Sequence, residues 1–166
     1  MAKITFKGSP IETVGSLPEV GARAPDFTLC GSDFSEVSLS DYQGKTVVLN
    51  IVPSLDTSVC QASARRFNSI ATEVEDVVVV NVSQDLPFAQ GRFCGSEGLT
   101  NVVNLSAFRS PEFGEAYGVT IQSGPLAGLL CRAVVLVDAD GKVVYTEQVP
   151  EIAQEPEYET VLNHLG

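Results

Sequence analysis

The spacing of apolar residues along the chain predicts most of its strands and helices. Residues 45–52 form a nearly continuous apolar run rich in β-branched side chains, which is typical of a strand covered on both faces. Pro53 ends this run, because a proline has no N–H to donate within a central strand. Residues 60–76 then repeat apolar side chains at helical spacing, and residues 77–82 form a second apolar run. Strand, helix and strand in this order predict a βαβ unit with parallel strands and a right-handed crossover.

Shorter elements surround this unit. Residues 4–6 and 11–14 flank a turn-rich break, which suggests an N-terminal β-hairpin. The other predicted elements are a strand-like run at 27–29, a short helix from about Pro87, a strand at 102–105, a helix at 111–117, strands at 133–137 and 143–146 around a two-residue turn at Asp140-Gly141, and a closing helix from about Pro156. A βαβ unit followed by a hairpin and a closing helix is the thioredoxin-like arrangement. The predicted fold class is therefore α/β: a thioredoxin-like fold with an N-terminal β-hairpin and a central mixed sheet flanked by helices.

Composition and charge narrow the classes of function. The chain has 166 residues, of which 44% are hydrophobic and 19% charged, and it contains no repeat or long linker. One globular domain over residues 1–166 is therefore expected. Acidic residues outnumber basic ones by 21 to 10, for a net charge of −11. Nucleic acid and anionic membrane surfaces would repel this charge, so neither is an expected partner.

The chain also shows no signal of export or membrane insertion. Its first residues contain no long apolar segment and no small-residue cleavage site. Its longest apolar segments, such as residues 133–137, are far too short to cross a bilayer. A cytoplasmic location is the prediction.

Four cysteines, Cys30, Cys60, Cys94 and Cys131, are the first candidates for chemistry. They form no Cys-x-x-Cys pair and no cluster with histidine, so neither zinc nor another metal is expected. In a cytoplasmic chain of this size, such cysteines are catalytic, redox-active or merely buried. The single histidine, His164, lies on the closing helix away from every motif and is interpreted as a surface residue.

Cys60 lies where the first buried strand has ended and an amphipathic helix begins. A helix start presents unpaired N–H groups and a partial positive charge, which favours the thiolate, the nucleophilic form of cysteine. Thr57 suits the cap of this helix, and its hydroxyl can accept from a backbone N–H and donate to a bound oxygen atom. Pro53 fixes the backbone where the chain leaves the strand and could shield the sulfur from water. The alternative is an ordinary helix cap followed by a buried small side chain.

Arg132 stands at the edge of an otherwise apolar predicted strand, where a lone arginine needs a reason. Near Cys60, its fixed charge would stabilise a thiolate and a developing oxyanion. The alternative is an arginine that reaches solvent from the end of the strand.

The pattern Pro53-x-x-x-Thr57-x-x-Cys60, at the start of a helix after an apolar strand, resembles the peroxidatic motif of peroxiredoxins. Further segments resemble one subfamily, the bacterial thiol peroxidases, which are atypical two-cysteine peroxiredoxins. These segments are Asp85-Leu-Pro-Phe-Ala-Gln90, Arg92-Phe-Cys-Gly-Ser-Glu-Gly98, Arg132-Ala-Val, Phe6-Lys-Gly, Val149-Pro-Glu-Ile152 and Glu155-Pro156. The resemblance extends over essentially the whole chain.

This resemblance implies a role for each site residue. Cys60 would be the peroxidatic cysteine, which attacks the O–O bond of hydrogen peroxide or an organic hydroperoxide and becomes a sulfenic acid. Cys94 would be the resolving cysteine, forming an intramolecular disulfide with Cys60 that thioredoxin reduces again. Thr57 and Arg132 would complete the peroxide pocket, with Pro53 as the first residue of the motif. No cofactor is implied, because sulfur itself carries the electrons, and a homodimer is the family expectation.

The segment around Cys94 gives a physical reason to expect movement. It predicts a short helix with an interior glycine, which lowers the stability of the helix. Two cysteines can bond only when their Cα atoms come within about 7 Å, and otherwise the backbone must move. We therefore expect residues 86–98 and the first turn at Cys60 to rearrange on oxidation. The alternative for Cys94 is an inert buried thiol, and packing is the predicted role of Cys30 and Cys131.

Two other functions fit the same cysteines. One is a thioredoxin-like redox sensor or binding module that uses Cys60 and Cys94 as a switch. Such a sensor would stop after one turnover as a stable disulfide, whereas a peroxidase would consume peroxide catalytically. The other is a disulfide oxidoreductase acting on protein thiols, which the absence of a Cys-x-x-Cys pair disfavours.

Overall fold

A computed structural model describes residues 2–165 of the chain. Its strands are β1 (Lys3–Phe6), β2 (Ser9–Glu12), β3 (Thr28–Cys30), β4 (Glu36–Ser38), β5 (Thr46–Ile51), β6 (Val77–Ser83), β7 (Val102–Ser106), β8 (Ala133–Val137) and β9 (Val143–Gln148). Its helices are α1 (Ser58–Glu73), α2 (Pro87–Glu97), α3 (Pro111–Tyr117), α4 (Tyr158–Leu165) and a short 3₁₀ helix at Leu39–Tyr42. Most of these elements match the predicted ones to within three residues. The three-residue β4 and the 3₁₀ helix were not predicted, because neither is long enough to show a periodic pattern.

The strands form two sheets. β1 and β2 pair as the predicted antiparallel hairpin. The other seven described strands form one sheet in the order β4-β3-β7-β6-β5-β8-β9. β5, β6 and β7 run parallel, and the remaining neighbours pair antiparallel. The predicted α/β class, with a mixed central sheet flanked by helices, is confirmed.

Both faces of the central strand β5 are covered, which explains its continuous apolar run. Successive side chains of a strand point to opposite faces of the sheet. Val47 and Leu49 pack on the side of the N-terminal hairpin and α3. Val48 packs on the other side, with Phe67 of α1 and Val161 of α4. Apolar side chains are therefore needed at every one of these β5 positions.

The sheet register decides which loops meet near Cys60. The carboxyl ends of the parallel strands β5 and β6 lie side by side, so the loops that follow them are neighbours. β8 runs antiparallel to β5, with Ala133 opposite Ile51. The residue before Ala133 is Arg132, so this register places Arg132 beside the loop that leaves β5.

The connection between β8 and β9 is longer than the predicted two-residue turn. Val137 pairs with Val143, which leaves the five residues 138–142 between the strands. The Asp138 carboxylate accepts hydrogen bonds from the backbone N–H groups of Asp140 and Lys142, each at 2.9 Å. These bonds satisfy backbone donors that the hairpin ladder leaves unpaired, and so they stabilise the wider loop.

No helix within residues 2–165 has the length and apolar character needed to cross a membrane.

Candidate active site

Cys60 is the third residue of α1, and Thr57 is the N-cap of this helix. The Thr57 hydroxyl accepts a hydrogen bond from the Cys60 backbone N–H at 3.3 Å and donates one to the Ser54 carbonyl at 3.2 Å. The predicted cap is therefore present, and it fixes the turn on which the sulfur is mounted. The Cys60 side chain is fully buried.

Arg132 is also buried, with 1% of its surface exposed. Its Nη2 donates to the Cys60 sulfur at 3.1 Å, and its Nε donates to the Ile152 carbonyl at 2.8 Å. The ion pairs found within residues 2–165 involve Arg65 and Arg66, so no carboxylate there neutralises Arg132. A buried positive charge without a carboxylate partner stabilises an anion at the sulfur that it contacts. The alternative of an arginine reaching solvent is wrong.

A cavity of about 340 Å³ lies beside these groups. Pro53, Thr57 and Arg132 all form part of its wall, so the structure brings these three predicted residues together. The remaining wall residues are Phe6, Lys7, Ser54, Ser58, Val59, Leu126, Leu129, Ile152 and Ala153. Cys60 itself is not among the wall residues, but its backbone N–H contacts Thr57 and its sulfur contacts Arg132. Among the described residues, the buried Nη1 atom of Arg132 has no hydrogen-bond partner.

Cys94 lies near the C-terminal end of α2 and is partly buried. It packs against the apolar cluster that contains Cys60 and Phe93. Asn104 of β7 donates from Nδ2 to the Cys94 sulfur at 2.8 Å. Burial raises the pKa of the Cys94 thiol, and the hydrogen bond from Asn104 opposes this shift. All four cysteines are free in this structure.

The other two cysteines and the histidine are not among the residues of the cavity wall. Cys30 and Cys131 are buried, in agreement with packing roles, and burial raises the pKa of Cys131 to about 11. Cys131 accepts a hydrogen bond from Gln148 Nε2 at 3.3 Å, whereas the Arg132 guanidinium contacts the Cys60 sulfur and the Ile152 carbonyl. His164 is exposed on α4, as predicted for a surface residue.

Asp85 is a structural residue of the site that sequence reasoning did not single out. Its carboxylate accepts hydrogen bonds from the Ser54 hydroxyl at 2.7 Å, the Leu55 backbone N–H at 2.7 Å and the Ser83 hydroxyl at 2.8 Å. Asp85 therefore fastens the loop before Cys60 to the end of β6. The sequence did place Asp85 just after a buried strand, at the start of the segment 85–90. That position does not identify its hydrogen-bond partners.

Glu151 fixes the segment whose Ile152 carbonyl accepts a hydrogen bond from Arg132. Its carboxylate accepts hydrogen bonds from the backbone N–H groups of Ala153 at 2.7 Å and Gly8 at 2.9 Å. These bonds, that from Ala153 first, lower the pKa of Glu151 to about 2. They join the N-terminal hairpin to the segment whose Ile152 carbonyl orients Arg132. No local sequence signal could have revealed this link, because its two halves lie at opposite ends of the chain.

Within residues 2–165, no group of three or more His, Cys, Asp or Glu side chains is arranged to hold a metal ion.

Comparison with known proteins agrees with the geometry of this site. Residues 19–162 match the Redoxin family. The chain is 57% identical to a thiol peroxidase of Mycobacterium tuberculosis, over 100% of this chain and 99% of that protein. A thiol peroxidase of Mycobacterium bovis shows the same identity and coverage.

Solved structures share the fold. A peroxiredoxin-like protein from Aquifex aeolicus matches with a TM-score of 0.94 and 42% identity, over 99% of this chain and 96% of that chain. A thiol peroxidase from Chromobacterium violaceum matches with a TM-score of 0.91, over 97% of this chain and 93% of that chain. Its identity is 21%, so this second match supports the fold alone.

Proposed function

Because the chain belongs to the Redoxin family, among the thiol peroxidases, and is a peroxidase enzyme, we propose that Cys60 reduces hydroperoxides and Cys94 resolves the product. Thioredoxin then returns both cysteines to thiols. The observation that best supports this proposal is the 3.1 Å contact between the buried guanidinium of Arg132 and the Cys60 sulfur. A buried cation at a cysteine on a helix start stabilises the thiolate, which is the reactive form.

In the first step, the Cys60 thiolate attacks the terminal oxygen of the hydroperoxide. A sulfur–oxygen bond forms while the O–O bond breaks, and the leaving alkoxide or hydroxide takes a proton from solvent to become alcohol or water. Cys60 is oxidised to a sulfenic acid, and the peroxide is reduced by two electrons. The free Nη1 of Arg132 can donate to the peroxide as negative charge moves to the leaving oxygen. The Thr57 hydroxyl, in the same cavity wall, can orient the second oxygen.

In the second step, Cys94 attacks the sulfenic sulfur of Cys60. A disulfide bond forms, and the departing hydroxide combines with the proton of the Cys94 thiol to give water. Packing of Cys94 against the apolar cluster around Cys60 supports this assignment. Burial raises the pKa of the Cys94 thiol, which disfavours the thiolate form that would attack peroxide. A thioredoxin-type dithiol then reduces the disulfide by thiol–disulfide exchange and is itself oxidised.

The cavity wall supports a substrate range wider than hydrogen peroxide. Phe6, Leu126, Leu129 and Ile152 give it apolar surface next to Thr57. An organic hydroperoxide could bury its carbon chain there while its O–O group lies against the polar side chains. We therefore propose that organic hydroperoxides are substrates as well as hydrogen peroxide.

The test is steady-state consumption of hydrogen peroxide and cumene hydroperoxide with thioredoxin, thioredoxin reductase and NADPH. Cys60→Ser is expected to abolish turnover. Cys94→Ser is expected to consume one equivalent of peroxide and stop as the sulfenic acid. Cys30→Ala serves as the matched control, because this cysteine is buried away from the cavity wall and should leave turnover intact.

Two outcomes would contradict the proposal in different places. If Cys94→Ser turns over normally with thioredoxin, Cys94 is not the resolving residue. If the native chain consumes one equivalent of peroxide and remains a stable disulfide, it is a sensor rather than a catalytic peroxidase.

A homodimer and a cytoplasmic location are the remaining proposals. The dimer is supported by the family resemblance and by an exposed aromatic pair. Phe34 and Phe88 are 41% and 74% exposed, and their ring centroids lie 5.0 Å apart. Exposed apolar side chains that lie together favour a surface covered by another chain.

A further inference from the structure

Three asparagine side chains form a hydrogen-bonded row across the sheet and end at Cys94. Asn50 of β5, Asn81 of β6 and Asn104 of β7 occupy matching register positions on adjacent parallel strands. Asn50 Nδ2 donates to Asn81 Oδ1 at 2.9 Å, and Asn81 Nδ2 donates to Asn104 Oδ1 at 3.1 Å. Asn104 Nδ2 then donates to the Cys94 sulfur at 2.8 Å. We call these three residues the asparagine ladder.

The ladder lies in the core, where polar groups are costly. Asn50 and Asn81 are fully buried, and Asn104 is 6% exposed. Buried amides lose their hydration and are tolerated only when hydrogen bonds replace it, whereas valine or leucine would fill such strand positions without this cost. One asparagine in each of three consecutive parallel strands was a visible sequence signal, but their common register was not.

All donors of the ladder point the same way, toward Cys94. At the far end, the Asn50 Oδ1 atom has no partner within residues 2–165, so the row is left incomplete there and completed at the sulfur. Hydrogen bonds in a row polarise one another, which strengthens the last one. A donor of this kind bonds more strongly to an anion than to a neutral thiol.

We propose that the asparagine ladder is a positioning device for Cys94, which holds its sulfur in the docked α2 helix and stabilises the Cys94 thiolate formed for attack on Cys60. This inference rests on the proposed role of Cys94 as the resolving cysteine. In that step the thiolate forms the disulfide bond while hydroxide leaves the Cys60 sulfur. The hydroxide and the proton released from the thiol make water, so one thiol and one sulfenic acid become one disulfide.

Among the groups around Cys94, Asn104 is the one that can stabilise its thiolate. The charged side chains of α2 are Arg92 and Glu97, those of α1 are Arg65, Arg66 and Glu73, and Arg132 lies beside Cys60. Arg65 and Glu97 pair with each other at 3.2 Å on the surface. The two causes of the pKa shift of Cys94 are burial, which raises it, and the Asn104 hydrogen bond, which lowers it.

Removal of the hydrogen bond has a distinctive pH signature. Without Asn104, the thiolate forms only at higher pH, so the inflection of the resolution rate moves upward. A thiolate with a higher pKa is a stronger nucleophile, but this gain is smaller than the loss in thiolate fraction. At pH values below the inflection, the resolution rate therefore falls by roughly threefold for each pH unit by which the inflection moves upward. Above the inflection the variant is not slower. A merely structural defect would slow resolution at every pH and leave the inflection in place.

Asn104→Leu, of similar size and without a donor, is the test variant. The first readout is the pH profile of iodoacetamide alkylation of Cys94, located by mass spectrometry, in a Cys60→Ser chain. The second is the pH profile of disulfide formation after one equivalent of peroxide in a chain that retains Cys60. Both inflections are expected to move upward in Asn104→Leu, and Asn104→Gln, which keeps an amide donor, should restore them toward the native positions. Asn50→Leu should move them in the same direction by less.

Each outcome decides the matter. The inference is overturned if Asn104→Leu folds and the pH profile of Cys94 alkylation keeps its native inflection. It is also overturned if the resolution rate falls equally at all pH values. If Asn104→Leu does not fold, Asn50→Leu decides by the same two readouts, and an unmoved inflection there overturns the ladder. If the alkylation inflection moves but Cys94→Ser still turns over normally with thioredoxin, the proposed function fails instead. In that case the role of the ladder in resolution fails with it, although its contact with the thiolate stands.

Discussion

Arg132 Nη2 lies 3.1 Å from the Cys60 sulfur, although 72 positions of sequence separate the two residues. The antiparallel register of β5 and β8 makes this possible, because it places the residue before β8 beside the loop after β5. The Ile152 carbonyl accepts from Nε and holds the guanidinium in this orientation. The Cys60 sulfur is thus contacted by a positive charge from a distant part of the chain, whereas its helix cap comes from its own motif.

Arg132→Met is expected to slow peroxide reduction by about 100-fold or more, since it removes a buried charge and the donor Nη1 from the site. Stopped-flow measurement of Cys60 oxidation by hydrogen peroxide gives this rate. Arg65→Met is the matched control, because Arg65 lies half-exposed on α1 in a surface ion pair and should leave the rate unchanged. A rate for Arg132→Met equal to that of the control would remove Arg132 from the chemistry.

Thr57→Val tests the cap and the proposed peroxide contact together. Loss of the hydroxyl should lower the free energy of unfolding by about 1 kcal/mol, because the Cys60 backbone N–H loses its acceptor. The rate of Cys60 oxidation should also fall markedly. Urea unfolding and stopped-flow kinetics measure the two effects, and Thr57→Ser should restore both. Near-normal kinetics in a destabilised Thr57→Val would leave Thr57 as a helix cap alone.

Glu151→Gln is expected to change the acid stability of the protein. The pKa of Glu151 is lowered from an ordinary 4.5 to about 2, so its carboxylate stabilises the folded state above pH 4.5, and this contribution is lost as pH falls toward 2. The native protein should therefore have the larger free energy of unfolding near neutral pH. Its difference from Glu151→Gln should be greatest there and should vanish in acid. Urea unfolding across this pH range measures it, with the exposed Glu19→Gln as control. A difference that does not depend on pH would contradict the assignment.

Oxidation should loosen α2. Gly91 and Gly95 lie within this helix, and the only described polar contact of the Cys94 sulfur is the hydrogen bond from Asn104, which disulfide formation removes or distorts. We expect residues 86–98 to exchange amide hydrogen faster in the disulfide than in the dithiol form, while β5 keeps its protection. Hydrogen exchange with mass spectrometry measures this difference. Unchanged exchange over residues 86–98 would show that the disulfide forms without local unfolding.

Phe88→Glu is expected to convert a dimer into a monomer, since it places a charge on the exposed aromatic pair. Sedimentation velocity measures the oligomeric state. Val20→Glu is the matched control, because Val20 is 61% exposed elsewhere on the chain and its replacement should leave the dimer intact. A native protein that sediments as a monomer would show the homodimer expectation to be wrong, and a dimeric Phe88→Glu would place the interface on another surface.

Local patterns were sufficient for much of this protein. The continuous apolar run ending at Pro53 identified a strand that proved to be covered on both faces. Thr57 before an amphipathic segment identified the helix cap, because a cap depends only on residues within one turn. The peroxidatic motif combines the same two local features, which is why the sequence alone could point to Cys60.

Contacts between distant strands were decided only by the tertiary structure. An apolar strand pattern is compatible with several registers and neighbours, so it could not show that Asn50, Asn81 and Asn104 share one row. For the same reason, the sequence could name Arg132 as a candidate but not the distance from its guanidinium to the sulfur. By itself, the sequence determined which cysteine begins a helix, and this position is the basis for proposing Cys60 as the nucleophile. The sheet register determined which charge meets that sulfur and which amide holds Cys94, because hydrogen bonds require a precise approach that only packed strands impose.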